Sequence, residues 1–163
     1  MSIELQASQQ QTTQKGLYEK DFVRWIETTV GQLQSQNYQD VDWENLIEEV
    51  ADMSKRERRR LKSNLIVVLL HLLKWQYQSD HRSGSWKSSV REHRRRINDD
   101  LKDSPSLVPY LHEIFAECYG RACEQAADET GLSLETFPRI CPYTTEESLE
   151  PDYLPNALDE QEE

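Results

Sequence analysis

Nine consecutive residues, Leu65 to Leu73, are apolar except for His71, and this run constrains the fold more than any other feature of the chain. Its apolar positions cannot all lie on one face of a helix, so two faces must be buried together. The run is less than half as long as the roughly 20 apolar residues that span a bilayer. The sequence therefore predicts a buried central helix and no membrane segment.

Two amphipathic helices are predicted before the central run. The first runs from Tyr18 to about Gln34, and the second begins near Trp43. Apolar residues recur in both at three- and four-residue steps, which is typical of a helix with one face in the core. The stripe residues are therefore predicted to be buried: Phe22, Trp25, Ile26, Val30 and Leu33 in the first helix, and Trp43, Leu46, Ile47 and Val50 in the second.

The sequence leaves open whether the second helix joins the central one. Ser54 followed by Glu57 fits a capping box, in which a hydroxyl and a carboxylate satisfy amides at a new helix start. The alternative is one helix that runs unbroken from Trp43 to Gln78. The predicted number of helices is four or five accordingly.

Two further helices and a C-terminal strap complete the prediction. Ser85 is expected to cap one helix, and Ser106 is expected to cap another that ends at Gly131. Four of the six prolines fall between Leu132 and Pro155, which favours an extended strap with at most one short helix from Thr145.

The predicted fold class is all-α, a single-domain helical bundle of four to five helices with a proline-rich C-terminal strap. The bundle is expected over residues 16–155, after a disordered arm over 1–15 and before an acidic tail over 156–163. The chain begins without an apolar secretion signal, and its three cysteines form no CxxC pair. These features favour the cytoplasm.

Basic residues are concentrated in the middle of an acidic chain. The net charge is −11, yet residues 55–102 contain 14 of the 19 Lys and Arg against five acids. Pairing with the bundle's own acids is the simplest use of these cations, and the net charge repels a polyanion. The alternative is a nucleic-acid-binding face formed by two Arg rows, at 55–62 and 91–96: Arg56, Arg59, Arg60, Arg94, Arg95 and Arg96.

His71 is the candidate for acid/base chemistry, because an imidazole in a dry site has a shifted pKa. Lys74 lies one helical turn away, and Glu48 or Glu49 on a preceding helix is the expected partner of the ring. The commoner use of such a residue is a neutral core histidine with one ring nitrogen hydrogen-bonded to a carboxylate or a carbonyl. The candidate catalytic residues are therefore Glu48, His71 and Lys74.

No metal or cofactor is predicted. The four histidines lack the three- to five-residue spacing of paired zinc ligands, and Glu-x-x-His does not occur. The sequence contains neither GxGxxG nor GxxxxGK[ST], which bind phosphates, and no GxSxG nucleophile motif.

Several sequence blocks together resemble domain-of-unknown-function family twenty-nine, a set of small bacterial proteins frequent in cyanobacteria. They include LYEKDFVRWIETT (17–29), LLHLLKWQYQ (69–78), RSGSW (82–86) and ETFPRICPYT (135–144). The resemblance extends from about Leu17 to Leu154 and implies an all-helical fold with no assigned activity. It also directs attention to positions of the family pattern: His71, Lys74, Trp75, Arg82, Ser85 and Trp86, of which Trp75, Arg82, Ser85 and Trp86 are binding candidates.

The leading hypothesis is a non-catalytic protein-interaction or regulatory module that acts on an unknown protein partner through a helix face. Nucleic-acid binding through the Arg rows is the alternative. An enzyme with an acid/base site around His71 is a second alternative. The sequence determines neither the partner nor the oligomeric state.

Overall fold

A computed structural model describes residues 16–157 and shows the predicted all-α fold. The predicted arm over 1–15 and residues 158–163 of the predicted tail lie outside the described residues. Ala157, two residues beyond the predicted boundary at Pro155, is buried. The chain divides into two compact units, of which one ends at Arg56 and the other begins at Glu57.

In the described part of the first unit, a helical segment covers residues 16–20, and Asp21 follows it outside the helix. The Asp21 carboxylate caps α1 (Phe22–Gln34) by accepting a hydrogen bond from the amide of Arg24 at 3.1 Å. The helix therefore starts at Phe22 instead of the predicted Tyr18, because the side chain of Asp21 satisfies a free amide at the helix start.

A tight connection leads from α1 into the second helix. Gln36 takes a positive φ of 58°, and a 3-10 turn follows at Tyr38–Asp40. The indole nitrogen of Trp25 donates a hydrogen bond to Asp42 at 3.3 Å, which ties α1 to the residue before the next helix. Trp25 and Val41 are buried at this junction.

The second helix, α2 (Trp43–Tyr77), is unbroken over 35 residues, so the continuous alternative is the one that forms. Ser54 and Glu57 lie inside the helix and do not start a new one. Strong helix formers occupy this stretch, and charged side chains pair along it, as Lys55 does with Asp52 at 2.9 Å. Uninterrupted helical propensity therefore prevails over the capping-box pattern.

In the second unit, α3 (Gly84–Asp103) runs antiparallel to α2. Arg60 pairs with Asp100 at 2.6 Å, near the end of α3. Near the start of α3, the Lys74 ammonium lies 4.5 Å from the centroid of the Trp86 ring. Residue numbers therefore increase along α2 in the direction in which they decrease along α3, as in a pair of antiparallel helices.

The next helix, α4 (Leu107–Thr130), runs parallel to α2. Lys62 pairs with Glu117, and Lys74 pairs with Glu129, each at 2.6 Å. The two partners of each pair are separated by the same number of residues, although the pairs lie about three helical turns apart. Only parallel helices keep this separation constant along their length. The basic side chains of α2 thus pair with acidic side chains of α4. The sequence favours this pairing of its cations with the bundle's own acids.

The C-terminal end of α4 agrees with the prediction, because Gly131 is the C-cap, where a φ of 73° is comfortable for glycine. Ser106 occupies the N-cap position, but its side chain forms no capping hydrogen bond and its backbone is helical, so the predicted Ser106 cap does not form. The core between the three helices is built on α2 residues that are 0% exposed: Leu61, Leu65, Val68, Leu69, Leu72 and Leu73.

The remaining residues, 132–157, form the predicted strap, with a 3-10 turn at Leu134–Thr136 and a short helix, α5 (Thr145–Leu149). Phe137 and Tyr143 reach the core from it. The Tyr143 hydroxyl donates a hydrogen bond to the buried side-chain oxygen of Gln76 at 2.6 Å. This contact fixes the strap to the central helix.

We expect Tyr143→Phe to lower the free energy of unfolding by about 1–3 kcal/mol, because the buried Gln76 oxygen would lose its donor. Tyr153→Phe is the matched control, since the Tyr153 hydroxyl has no hydrogen bond within the described chain. Urea unfolding followed by circular dichroism measures both. Equal losses in the two variants would contradict this role of the Tyr143 hydroxyl.

Candidate functional site

An apolar groove of about 310 Å³ lies in the first unit, between α1 and the α2 residues up to Arg56. We call it the hairpin groove, because α1 and the α2 residues up to Arg56, a pair of helices joined by a short connection, form its walls. Its lining is apolar except for Thr29, Glu49 and Arg56, and the apolar lining residues are Phe22, Trp25, Ile26, Val30, Leu33, Leu46, Val50 and Met53.

The predicted burial of these two stripes is wrong for most of their residues. Trp25 is buried, but Ile26 is 40% exposed, Val30 44% and Val50 58%. Two helices bury only the strip along which they touch, so a wide apolar stripe stays partly in solvent. Between residues 16 and 56, the other large apolar side chains that are exposed are Phe22, Val23, Tyr38, Trp43, Ile47 and Met53.

An aromatic cluster closes one end of the hairpin. The ring of Tyr18 packs edge-on against Phe22 and Trp25, with centroids 5.7 and 4.9 Å away. The Tyr18 hydroxyl donates a hydrogen bond to Glu49 at 2.7 Å, and this carboxylate also pairs with Arg56 at 2.8 Å. The bond to Glu49 raises the pKa of Tyr18 to about 12. The groove wall is therefore held in place by contacts within the unit.

A polar cluster surrounds His71 in the second unit. The Lys74 ammonium, whose side chain is 11% exposed, lies between the Glu129 carboxylate and the Trp86 ring. His71 is half-buried. Its burial is the larger cause that lowers the pKa of its imidazole, and the positive charge of Lys74 is the next. The ring is therefore neutral near pH 7, as expected of a core histidine.

The nitrogens of His71 are not satisfied as expected. Its Nδ1 atom is buried and has no hydrogen-bond partner among the described residues. Glu48 and Glu49, the expected partners, belong to the same unbroken helix as His71 and not to a preceding one. The prediction of a pairing across two helices is therefore wrong, and Glu48 is an exposed residue of the first unit. The catalytic role of Glu48, His71 and Lys74 stays a prediction.

Sequence reasoning missed three residues of this cluster, Asn64, His93 and Glu129. His93 Nδ1 lies 2.8 Å from the side-chain oxygen of Asn64, within hydrogen-bond distance. Asn64 precedes His71 by seven residues and thus shares its face of α2, which was the available signal. His93 and Glu129 come from other helices, and no local pattern identifies them.

The binding candidates Trp75, Arg82, Ser85 and Trp86 lie around the turn between α2 and α3. Arg82 donates a hydrogen bond to the Trp75 carbonyl at 2.9 Å, and its guanidinium lies 4.8 Å from the centroid of the Trp75 ring. Ser83, and not the predicted Ser85, caps α3 by accepting from the amide of Trp86. Ser85 shares a hydrogen bond with the Ser83 hydroxyl at 2.8 Å. These four residues thus shape a helix-to-helix turn.

Most of the predicted phosphate-binding arginines are engaged within the chain. Arg95 and Arg96 both pair with Glu92, Arg60 pairs with Asp100, and Arg56 with Glu49. Arg59 is exposed. Pairing of this kind is the simpler use of the basic rows. Nucleic-acid binding stays an untested hypothesis.

Arg94 differs from its neighbours because it is 2% exposed. Its guanidinium donates to three strap carbonyls, those of Ser148 at 2.8 Å, Pro151 at 3.3 Å and Glu147 at 3.4 Å. Arg94 therefore fastens the strap to α3.

Within residues 16–157, no group of three or more His, Cys, Asp or Glu side chains is arranged to hold a metal ion. No helix among the same residues combines the length and apolarity needed to cross a membrane.

We expect acid to destabilise the protein partly through His71. Its folded pKa lies below the unfolded value, so the unfolded chain binds more protons and stability falls as pH drops below about 6.5. His71→Leu should therefore lose less unfolding free energy than the wild type between pH 7.5 and 5.5. His112→Gln, at an exposed position, is the control and should keep the wild-type dependence. Urea unfolding at both pH values tests this, and an unchanged dependence in His71→Leu would contradict it.

Comparison with known proteins places the chain in a family. Residues 17–154 match the sequence model of the family described as domain of unknown function DUF29. No curated protein and no solved structure matches the chain significantly. Because the match covers most of the sequence, including both units, the chain belongs to the DUF29 family.

Proposed function

We propose that this protein is a non-catalytic interaction module whose hairpin groove binds one amphipathic helix of a partner protein. The observation that carries the proposal is the exposed apolar lining of that groove. Ile26, Val30 and Val50 are each between 40% and 58% exposed in a groove of about 310 Å³. Contiguous exposed apolar surface of this kind marks interaction sites on water-soluble proteins.

The form of the groove suits a helix. Its walls are two helices, and their apolar residues recur at three- and four-residue steps, as in Phe22, Ile26 and Val30 on α1 and in Leu46, Val50 and Met53 on α2. An amphipathic helix presents its anchors at the same steps, so it packs into such a groove as a third helix. A partner helix would complete the core that the hairpin leaves open.

Charge indicates that the partner helix is basic. Residues 16–56 contain nine acidic and four basic side chains, and the whole chain has a net charge of −11. Lys and Arg flanking the apolar face of a partner would be attracted to this unit. A second copy of the chain or an anionic membrane surface would be repelled, so neither is the favoured occupant.

A cytoplasmic location is part of the proposal. The three cysteines are free, and two of them, Cys118 and Cys123, are buried. Burial raises the pKa of the Cys118 thiol to about 11, which keeps it protonated. Free thiols in this number are typical of a reducing compartment.

We expect a synthetic helix of leucine and lysine, about five turns long, to bind the wild-type protein, and Val50→Glu to weaken this binding about tenfold or more. Burying a valine contributes about 1.5 kcal/mol, and a factor of ten corresponds to about 1.4 kcal/mol. Val23→Glu is the matched control, because Val23 is 64% exposed and does not line the groove. Fluorescence anisotropy of the labelled peptide measures the dissociation constants.

Two peptide controls test the partner's chemistry. The same leucines combined with glutamate should bind more weakly at low salt, and a scrambled leucine and lysine sequence, which lacks one apolar face, should not bind. Equal binding of the lysine and glutamate helices, or an unaffected Val50→Glu, would contradict the proposal. A wild-type dimer that becomes monomeric in Val50→Glu by sedimentation would show that a second copy occupies the groove.

A further inference from the structure

A second cavity, of about 270 Å³, lies in the second unit between α3 and the strap. Three cationic side chains of α3 line it: Lys87, Arg91 and Arg94. The strap contributes one carboxylate, that of Asp152, and Val90 is among the apolar walls. The ionised lining therefore carries more positive than negative charge, although the protein as a whole is acidic.

The three cations share one face of α3, because they follow at steps of four and three residues. Like charges at this spacing destabilise a helix unless an anion lies between them. The neighbouring Arg95 pairs with Glu92 and Asp99, and Arg96 pairs with Glu92. Within the part of the chain that the structure describes, Lys87 and Arg91 form no such ion pair.

Arg94 forms the buried end of the cavity. Its three hydrogen bonds go to backbone carbonyls, which are neutral, so no carboxylate is bonded to its charge. Burial consequently lowers the pKa of Arg94 to about 10. A guanidinium has five N–H donors, and two of them are left for a further acceptor.

We propose that this cavity binds a small phosphate-bearing molecule, with its phosphate held by Lys87, Arg91 and Arg94. A phosphate group near neutral pH carries close to two negative charges and three acceptor oxygens, which matches three cations that line one cavity better than a carboxylate does. The cavity is slightly smaller than the usual range of ligand pockets, about 300–1,000 Å³, so the ligand is a small one. Val90 provides apolar contact for its organic part.

Isothermal titration calorimetry with three probes tests the proposal, at one ionic strength set with sodium chloride. Phenyl phosphate should bind most tightly, inorganic phosphate more weakly, and benzoate the most weakly. The double variant Lys87→Ala with Arg91→Ala should raise the dissociation constant of phenyl phosphate about tenfold or more. Arg59→Ala with Lys102→Ala removes two exposed cations elsewhere and should retain wild-type binding.

Backbone amide shifts of the wild-type protein provide a measurement that needs no variant. Phenyl phosphate should shift amides over residues 87–94 and 151–154 and leave the hairpin groove unchanged. Absence of phosphate binding, equal losses in the two double variants, or shifts spread over all basic segments would overturn the proposal. Binding of oligonucleotides without binding of phenyl phosphate would overturn it as well. None of these results would affect the proposal for the hairpin groove.

Discussion

Burial of the α2 residues between Leu61 and Leu73 on more than one side is the constraint on which the second unit depends. Leu61, Leu65, Val68, Leu69, Leu72 and Leu73 are 0% exposed. Such a helix must have neighbours on several faces, because each neighbour covers only one stripe. The antiparallel α3, the parallel α4 and the aromatic residues of the strap provide this cover. Acidic residues on α3 and α4 receive the basic side chains at the edges of α2, which favours this arrangement of helices over others.

The polar side chains within this packing show where the cover of α2 is imperfect. Lys74 extends between Glu129 and the Trp86 ring, so its ammonium is both paired and packed. His71 keeps a buried Nδ1 atom without a partner among the described residues. A neutral imidazole tolerates such a site better than a charged one would, because burying an unpaired charge costs far more. The same physical effect lowers the pKa of the ring.

The hairpin of the first unit shows the opposite outcome from a similar sequence pattern. Its stripes have the helical spacing of core residues, yet Ile47 and Val50 are 65% and 58% exposed. Two helices cover each other along one strip only. A wide apolar stripe needs contacts with more than one neighbouring helix to become buried. An apolar groove thus arises from the same apolar residues that would otherwise complete a core. The cavity of the second unit likewise arises where the strap crosses a helix face that already carries Lys87 and Arg91.

The sequence by itself determined the all-α class, the buried run at Leu65 to Leu73, the end of α4 at Gly131 and the short helix from Thr145, since these follow from local periodicity and capping. Only the tertiary structure decided which stripes are covered, because coverage depends on how many neighbours a helix meets. It also decided that Arg94 binds strap carbonyls more than fifty residues away while Arg95 pairs with Glu92. The two arginines are adjacent in sequence, and their different roles follow from the faces of α3 on which they lie.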